Sequence, residues 1–175
     1  MTCLDQPSVF EFKVFGDFAM LWNLTRRTFL LSGAAATALL SRTAFATGPL
    51  VTVHKDPNCG CCSEWNAHLE THGFQVKVIE TGEINRVKAR LGVPFDLWAC
   101  HTAEVAGYLI EGHVPAAALD RLLREKPDAR GLAVPGMPSG SPGMGGDDEE
   151  YDVILFGKDR RRVYGRFKGA TEVRS

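Results

Sequence analysis

Three thiols fall within four residues at Cys59-Gly60-Cys61-Cys62, directly after the apolar run Leu50-Val51-Thr52-Val53. Cys59 and Cys62 have the C-x-x-C spacing that opens the first helix of a thioredoxin-like fold when it follows a strand. At a helix start, the free N–H groups and the helix dipole lower thiol pKa. Thiolates are soft donors, so the group can clasp Cu(I) or Zn(II), or cycle between dithiol and disulfide. The cluster therefore constrains the fold (strand, tight turn, helix) together with the chemistry.

An address precedes it. Thr25-Arg26-Arg27-Thr28-Phe29-Leu30 is a twin-arginine pattern, and a short Ala-rich apolar run behind it ends at Ala44-Phe45-Ala46, which suits a signal peptidase. We expect residues 1–46 to be a leader and 47–175 the mature domain. Met20 starts a compact basic segment, so it is the expected true start. An uncleaved anchor is the alternative, but the run is short, weakly apolar and ends near Arg42, a poor membrane span. No membrane association is expected after cleavage. The periplasm is oxidising and permits disulfides.

From Thr47 onward the chain keeps Cys59, Cys61, Cys62 and Cys100, all five histidines, and two methionines, Met137 and Met144. It carries 16 basic against 18 acidic residues, a net charge of −2. No basic patch with interleaved aromatics is present, which argues against nucleic acid as a partner. Arg160-Arg161-Arg162 reads as a solvated hairpin tip. A length of about 130 residues suits one domain.

Hydrophobic periodicity gives strands at Leu50–His54, Phe74–Ile79 and Glu104–Ile110, and helices at Ser63–His72, Glu83–Leu91 and Pro115–Glu125. Tyr151–Phe156 and Arg162–Phe167 read as a hairpin around Gly157-Lys158-Asp159. The order β-α-β-α-β-α-β-β predicts an α/β domain: a thioredoxin-like mixed sheet flanked by helices. A Gly/Pro/Met loop, residues 136–146, is inserted before the hairpin; its composition excludes it from the core. Methionine usually fills apolar gaps, yet here both methionines sit in a polar loop, where thioethers are better explained as soft metal ligands. Pro135, just before the loop, is the candidate for a cis proline packed against the C-x-x-C.

These pieces together resemble the CopG family of periplasmic copper-binding proteins, long catalogued as a domain of unknown function. The matching segments are Asp56-Pro57-Asn58-Cys59-Gly60-Cys61-Cys62, Cys100-His101-Thr102, Gly107-Tyr108, Glu111-Gly112-His113-Val114-Pro115, Gly131 through Pro138 and Gly140-Ser141-Pro142-Gly143-Met144. The resemblance implies a thioredoxin-like fold, copper binding through clustered cysteines and other soft ligands, and a role in copper resistance. Redox chemistry at the cysteines is a further implication.

The candidate metal ligands are Cys59, Cys61, Cys62, Cys100, His113, Met137 and Met144. His113 stands at a strand-to-helix junction, where an imidazole can face a neighbouring site. His101 is a weaker candidate, because consecutive residues diverge. His54 stands near the cluster in sequence, while His68 and His72 read as solvent-facing helix residues and Trp65 as core. The alternative to a metal is a disulfide: Cys59–Cys62 is the favoured pair, since a bridge between the neighbours Cys61 and Cys62 would be strained. Cys100 could then pair with the remaining thiol. Zinc would accept four cysteines, or cysteines with histidine; thioethers favour Cu(I), and this many sulfurs could hold more than one ion.

Two functions follow. The first is a periplasmic protein that sequesters Cu(I) or passes it to other copper-handling proteins. The second is a thiol–disulfide oxidoreductase with Cys59 and Cys62 as catalytic residues, coupled or not to the copper redox state. No nucleophile elbow or zinc-hydrolase helix is present.

Overall fold

The computed structural model describes residues 48–158 and 160–174; the expected leader, Met20 and the hairpin residue Asp159 lie outside the described residues. The elements are β1 (Leu50–Lys55), α1 (Gly60–Thr71), β2 (Gln75–Glu80), α2 (Ile84–Leu91), a single 3₁₀ turn (Phe95–Leu97), β3 (His101–Val105), β4 (Tyr108–Glu111), α3 (Ala116–Glu125), β5 (Gly131–Ala133), β6 (Glu150–Phe156), β7 (Arg161–Lys168) and β8 (Thr171–Arg174). All eight strands join one mixed sheet in the order β2-β1-β3-β4-β5-β6-β7-β8. β1 runs parallel to β2 and antiparallel to β3, and β4 runs parallel to β5. No helix of the described residues is long and apolar enough to cross a membrane.

Strand alternation sends neighbouring residues to opposite faces. On one face, Val51, Val53, Ala103, Ile110, Leu132, Val153 and Phe167 meet Trp65 and Leu69 of α1 and Leu119 and Leu122 of α3 in the larger core. On the other, Leu109, Ala133 and Phe156 meet Val93 and Leu97 from the segment after α2. Trp65 is fully buried, as its helical spacing with Leu69 predicts, and its indole N–H donates to the Val114 carbonyl at 2.8 Å. That bond ties α1 to the entrance of α3.

Several expectations are corrected. Glu104–Ile110 is not one strand: Ala106 and Gly107 turn at φ 47° and 86° and split it into β3 and β4. Two residues with positive φ between antiparallel strands make the turn whose twist suits a hairpin. β5 and β8 are additional strands, too short to show periodicity. The bond before Pro135 is trans, as are all peptide bonds among the described residues; Gly136 and Met137, at φ 80° and 49°, reverse the chain there instead. The inserted loop is not excluded from the interior, because Ser141 and Pro142 are buried. Its polar groups are satisfied: the Ser141 hydroxyl donates to Pro138 O at 2.7 Å.

His68 is not simply a solvent-facing residue. Its Nε2 accepts the Ala116 N–H at 3.1 Å and so caps the start of α3, where Pro115 offers no side-chain cap. Burial, then the neighbouring His72 imidazole, pushes its pKa down to about 4.

Two outcomes are expected. Ala106→Gly should raise the stability measured by chemical denaturation by roughly 0.5 kcal/mol, whereas Ala106→Val should lower it by about 1–2 kcal/mol, because a left-handed backbone penalises side chains. His68 binds its proton less readily folded than unfolded, so its contribution is complete above about pH 6.5 and is lost as pH falls toward about 4. His68→Gln, which keeps an acceptor but does not titrate, should flatten the fall of unfolding midpoint across that window; an unchanged slope would rule the cap out as its source.

Candidate metal centre

Asp56-Pro57-Asn58 turns the chain out of β1. The Asn58 N–H donates to the Asp56 carboxylate at 2.8 Å, and the Cys59 N–H to the Asp56 carbonyl at 3.1 Å. Cys59 is the N-cap of α1, and no side chain caps that end by hydrogen bonding. The first-turn N–H groups and the helix dipole therefore face the thiols. Cys61 and Cys62 lie inside the helix, three residues earlier than periodicity alone predicts, because Gly-Cys-Cys carries no apolar stripe.

Strand pairing supplies the rest. β1 and β3 align Lys55 with His101, which carries Cys100 to the end of β1 where the cysteine turn begins. β3 and β4 align Thr102 with Glu111, and the Gly112 N–H donates to His101 O at 3.1 Å. One step further along this register, Cys100 stands opposite His113. Cys100 Sγ is 3.0 Å from His113 Nε2 and 3.3 Å from His101 Nδ1.

The sulfurs of Cys59, Cys61, Cys62 and Cys100 all lie within 4.8 Å of one another, and the donor atoms of Cys100, His101 and His113 satisfy the same limit. Cys59 and Cys62 are joined as a disulfide, with Cα atoms 5.5 Å apart. Cys61 and Cys100 are free, and Cys61 Sγ lies 3.6 Å from Cys59 Sγ. The bridge is thus the one that spacing favours, and the remaining thiols face each other without being bonded.

The inserted loop closes over this group. His113 Nδ1 donates to the Pro142 carbonyl at 2.6 Å, which leaves the Nε2 lone pair directed toward Cys100. Gly143, at φ 89°, lies so close to α1 that a Cβ there would sit 2.6 Å from Trp65 N and 2.8 Å from Cys61 O. Met144 follows it and is half-buried, whereas Met137 is 43 % exposed on the loop surface. His54 stands apart, paired with Glu104 at 3.0 Å, and His72 is exposed at the C-cap of α1.

Burial keeps the Cys100 thiol and the two imidazoles uncharged until something binds. Burial, then the nearby Cys61, pushes the Cys100 thiol up to about 12, against the opposing pull of Lys88. Burial lowers the His113 pKa, and burial followed by the charges of His113 and Lys88 holds His101 well below the usual imidazole range. Neutral imidazoles are the form that binds metals, and a metal ion displaces a thiol proton outright. His101 Nε2 is buried with no hydrogen-bond partner among the described residues. Soft sulfurs beside imidazole nitrogens, one of them orphaned, fit a thiophilic ion such as Cu(I).

One group escaped the sequence reading. Lys88, on α2, is fully buried and paired with the fully buried Glu111 of β4. The available signal was its place among Ile84, Val87 and Leu91, where a lysine interrupts an otherwise apolar stripe.

Comparisons with known proteins identify the family of this chain. A family model described as a protein of unknown function, DUF411, matches residues 97–144, the stretch from Cys100 through the inserted loop. No curated protein matches the chain. Copper resistance protein CopG, in a solved structure called form 1, is 44 % identical, with a TM-score of 0.64; the match covers 69 % of this chain and 98 % of that one. Form 2 gives 43 % identity and a TM-score of 0.65 over the same shares. The two elements that carry the donors, the cysteine turn and the hairpin of Cys100 and His113, thus belong to a chain that is a member of the CopG copper resistance protein family.

Proposed function

We propose that this protein is an exported copper-binding protein that sequesters Cu(I), or passes it to other periplasmic copper-handling proteins, in copper resistance. The observation that carries this reading is the convergence of four sulfurs within 4.8 Å, with two buried imidazoles beside them. The resemblance to copper resistance proteins supports copper over zinc, and so do the two methionines of the loop. Cys59, Cys61, Cys62, Cys100 and His113 are the central ligands, with Met137 and Met144 as thioether donors. With sulfurs this close, thiolates bridging more than one ion fit the cluster. The twin-arginine leader, residues 1–46, delivers the protein to the periplasm and is removed, leaving no membrane attachment.

The fold reading that accompanies this is thioredoxin-like. It is supported by the strand order β2-β1-β3-β4 and by the C-x-x-C at the start of α1; β5 to β8 extend the sheet beyond that unit. A disulfide in that position favours a second reading, a thiol–disulfide couple. Oxidation of the Cys59 and Cys62 thiolates to the disulfide releases two electrons, enough to reduce two Cu(II) ions to Cu(I). The two readings are compatible: full use of four thiolates requires the disulfide to be opened first by an external thiol reductant.

Anaerobic titration of the reduced protein with Cu(I) should load more than one ion per chain and shield all four thiols from alkylation. Four freely alkylated thiols with no copper retained would remove the copper reading and leave the redox one. Met137→Leu with Met144→Leu should weaken Cu(I) binding in chelator competition by about tenfold, roughly 1.4 kcal/mol. The same pair should leave the Cys59–Cys62 reduction potential unchanged, since neither thioether takes part in thiol exchange.

A further inference from the structure

A lysine enclosed in protein loses its hydration, and pairing it with a carboxylate often stabilises no better than two apolar residues of the same size. Yet Lys88 and Glu111 are both fully buried, with Nζ 2.5 Å from Oε1. Adhesion of α2 to the sheet does not require this arrangement. The remaining bonds of the carboxylate reveal a more specific use. Oε1 also accepts the Ala99 N–H at 2.6 Å, and Oε2 accepts the Thr102 hydroxyl. Lys88 donates to the same Thr102 oxygen at 2.9 Å. Ala99 and Thr102 flank Cys100-His101, and Glu111 itself stands two residues before His113. One carboxylate thus holds both sides of one donor pair from the end of the strand that leads to the third donor.

We propose that the Lys88–Glu111 pair is the positioning element of the metal centre: Glu111 clamps Cys100-His101 against the His113 segment before any ion arrives, and Lys88 fixes that carboxylate in place. The inference rests on the copper-binding reading and adds two residues to it. Lys88 and Glu111 touch no ion; they act through Ala99, Thr102 and Cys100. Groups behind metal ligands orient them, and their loss typically weakens metal affinity about 10–100-fold. Lys88 bonds both clamp groups, the Glu111 carboxylate and the Thr102 hydroxyl oxygen. Its alternatives as a partner are few, since among the described residues its own bonds go only to Glu111 and Thr102.

The test compares wild type with two double variants that leave no buried charge unpaired. Lys88→Met/Glu111→Leu removes the clamp; Lys88→Met/Glu111→Gln restores an acceptor for Ala99 without the ion pair. In metal-free protein, amide hydrogen exchange at Ala99 should speed up at least about tenfold in the Leu variant and be largely restored in the Gln variant. Cu(I) affinity, measured by chelator competition, should fall about 10–100-fold in the Leu variant and less in the Gln variant. The ultraviolet thiolate-to-copper band should shift in both. A folded Leu variant with wild-type exchange, affinity and spectrum would overturn the proposal. Should the Leu variant fail to fold, the Gln variant decides: reduced affinity with a shifted band upholds the pair as the positioning element, and wild-type values overturn it. If wild type itself takes up no copper, the copper reading falls, while Ala99 exchange still decides whether the clamp exists.

Discussion

The pairing of β3 with its two neighbours is the constraint on which the site depends. Its register with β1 carries Cys100 to the cysteine turn, and its register with β4 sets Cys100 opposite His113. A slip of one residue would turn His101 from the Trp65 face to the opposite one and move Cys100 out of reach of Cys61. The turn at Ala106 and Gly107 is therefore more than a connection: it fixes that register at its closed end. At the open end, the carboxylate of Glu111 does the same work through Ala99 and Thr102.

The layers above and below the sheet divide the labour. On one face, the His101 ring lies 4.3 Å from the Trp65 ring and 5.2 Å from that of His113, centroid to centroid, so the nitrogen donors are set in the larger core. On the other face stands the ion pair, beside the smaller apolar cluster of Val93, Leu97 and Leu109. The sulfurs gather at the strand ends between them, capped by the loop through Pro142 and Gly143. A low-dielectric setting of this kind strengthens every polar contact in it and makes an unpaired one expensive. His101 Nε2 is one such unpaired atom among the described residues.

How legible this was in the sequence follows from the range of each signal. The cysteine turn was legible because its thiols are adjacent and follow an apolar strand. The helices Glu83–Leu91 and Pro115–Glu125 were legible because their stripes are periodic and their ends marked by Gly92 and Pro115. The hairpin turn at Ala106-Gly107 was missed because its flanks are both apolar enough to read as one strand. The trans bond before Pro135 was missed because the reversal is made by the two residues that follow it. The buried loop residues Ser141 and Pro142 were hidden by a polar composition whose hydrogen bonds close within the loop and onto His113. The Lys88–Glu111 pair joins a helix to strands far along the chain, and no local pattern reports such a partner. Cys100 and His113 were candidates from fold and resemblance, His113 also from its strand-to-helix junction; their proximity depends on a register that only the folded sheet supplies.

The donors come from segments far apart in sequence: the cysteine turn, Cys100, and His113 thirteen positions beyond it. Any ion bound by all of them is a cross-link, closing one long loop and one short loop of the polymer at a single point. Cross-links reduce the freedom of the unfolded chain, and their effect grows slowly with loop length. Ion and scaffold are thereby made mutually dependent. A loaded chain resists unfolding more than an empty one, and releasing the ion loosens the connection between the two halves of the sheet. Wherever proteases meet the chain, occupancy would thus be written into lifetime: the empty protein is the one most readily cleared.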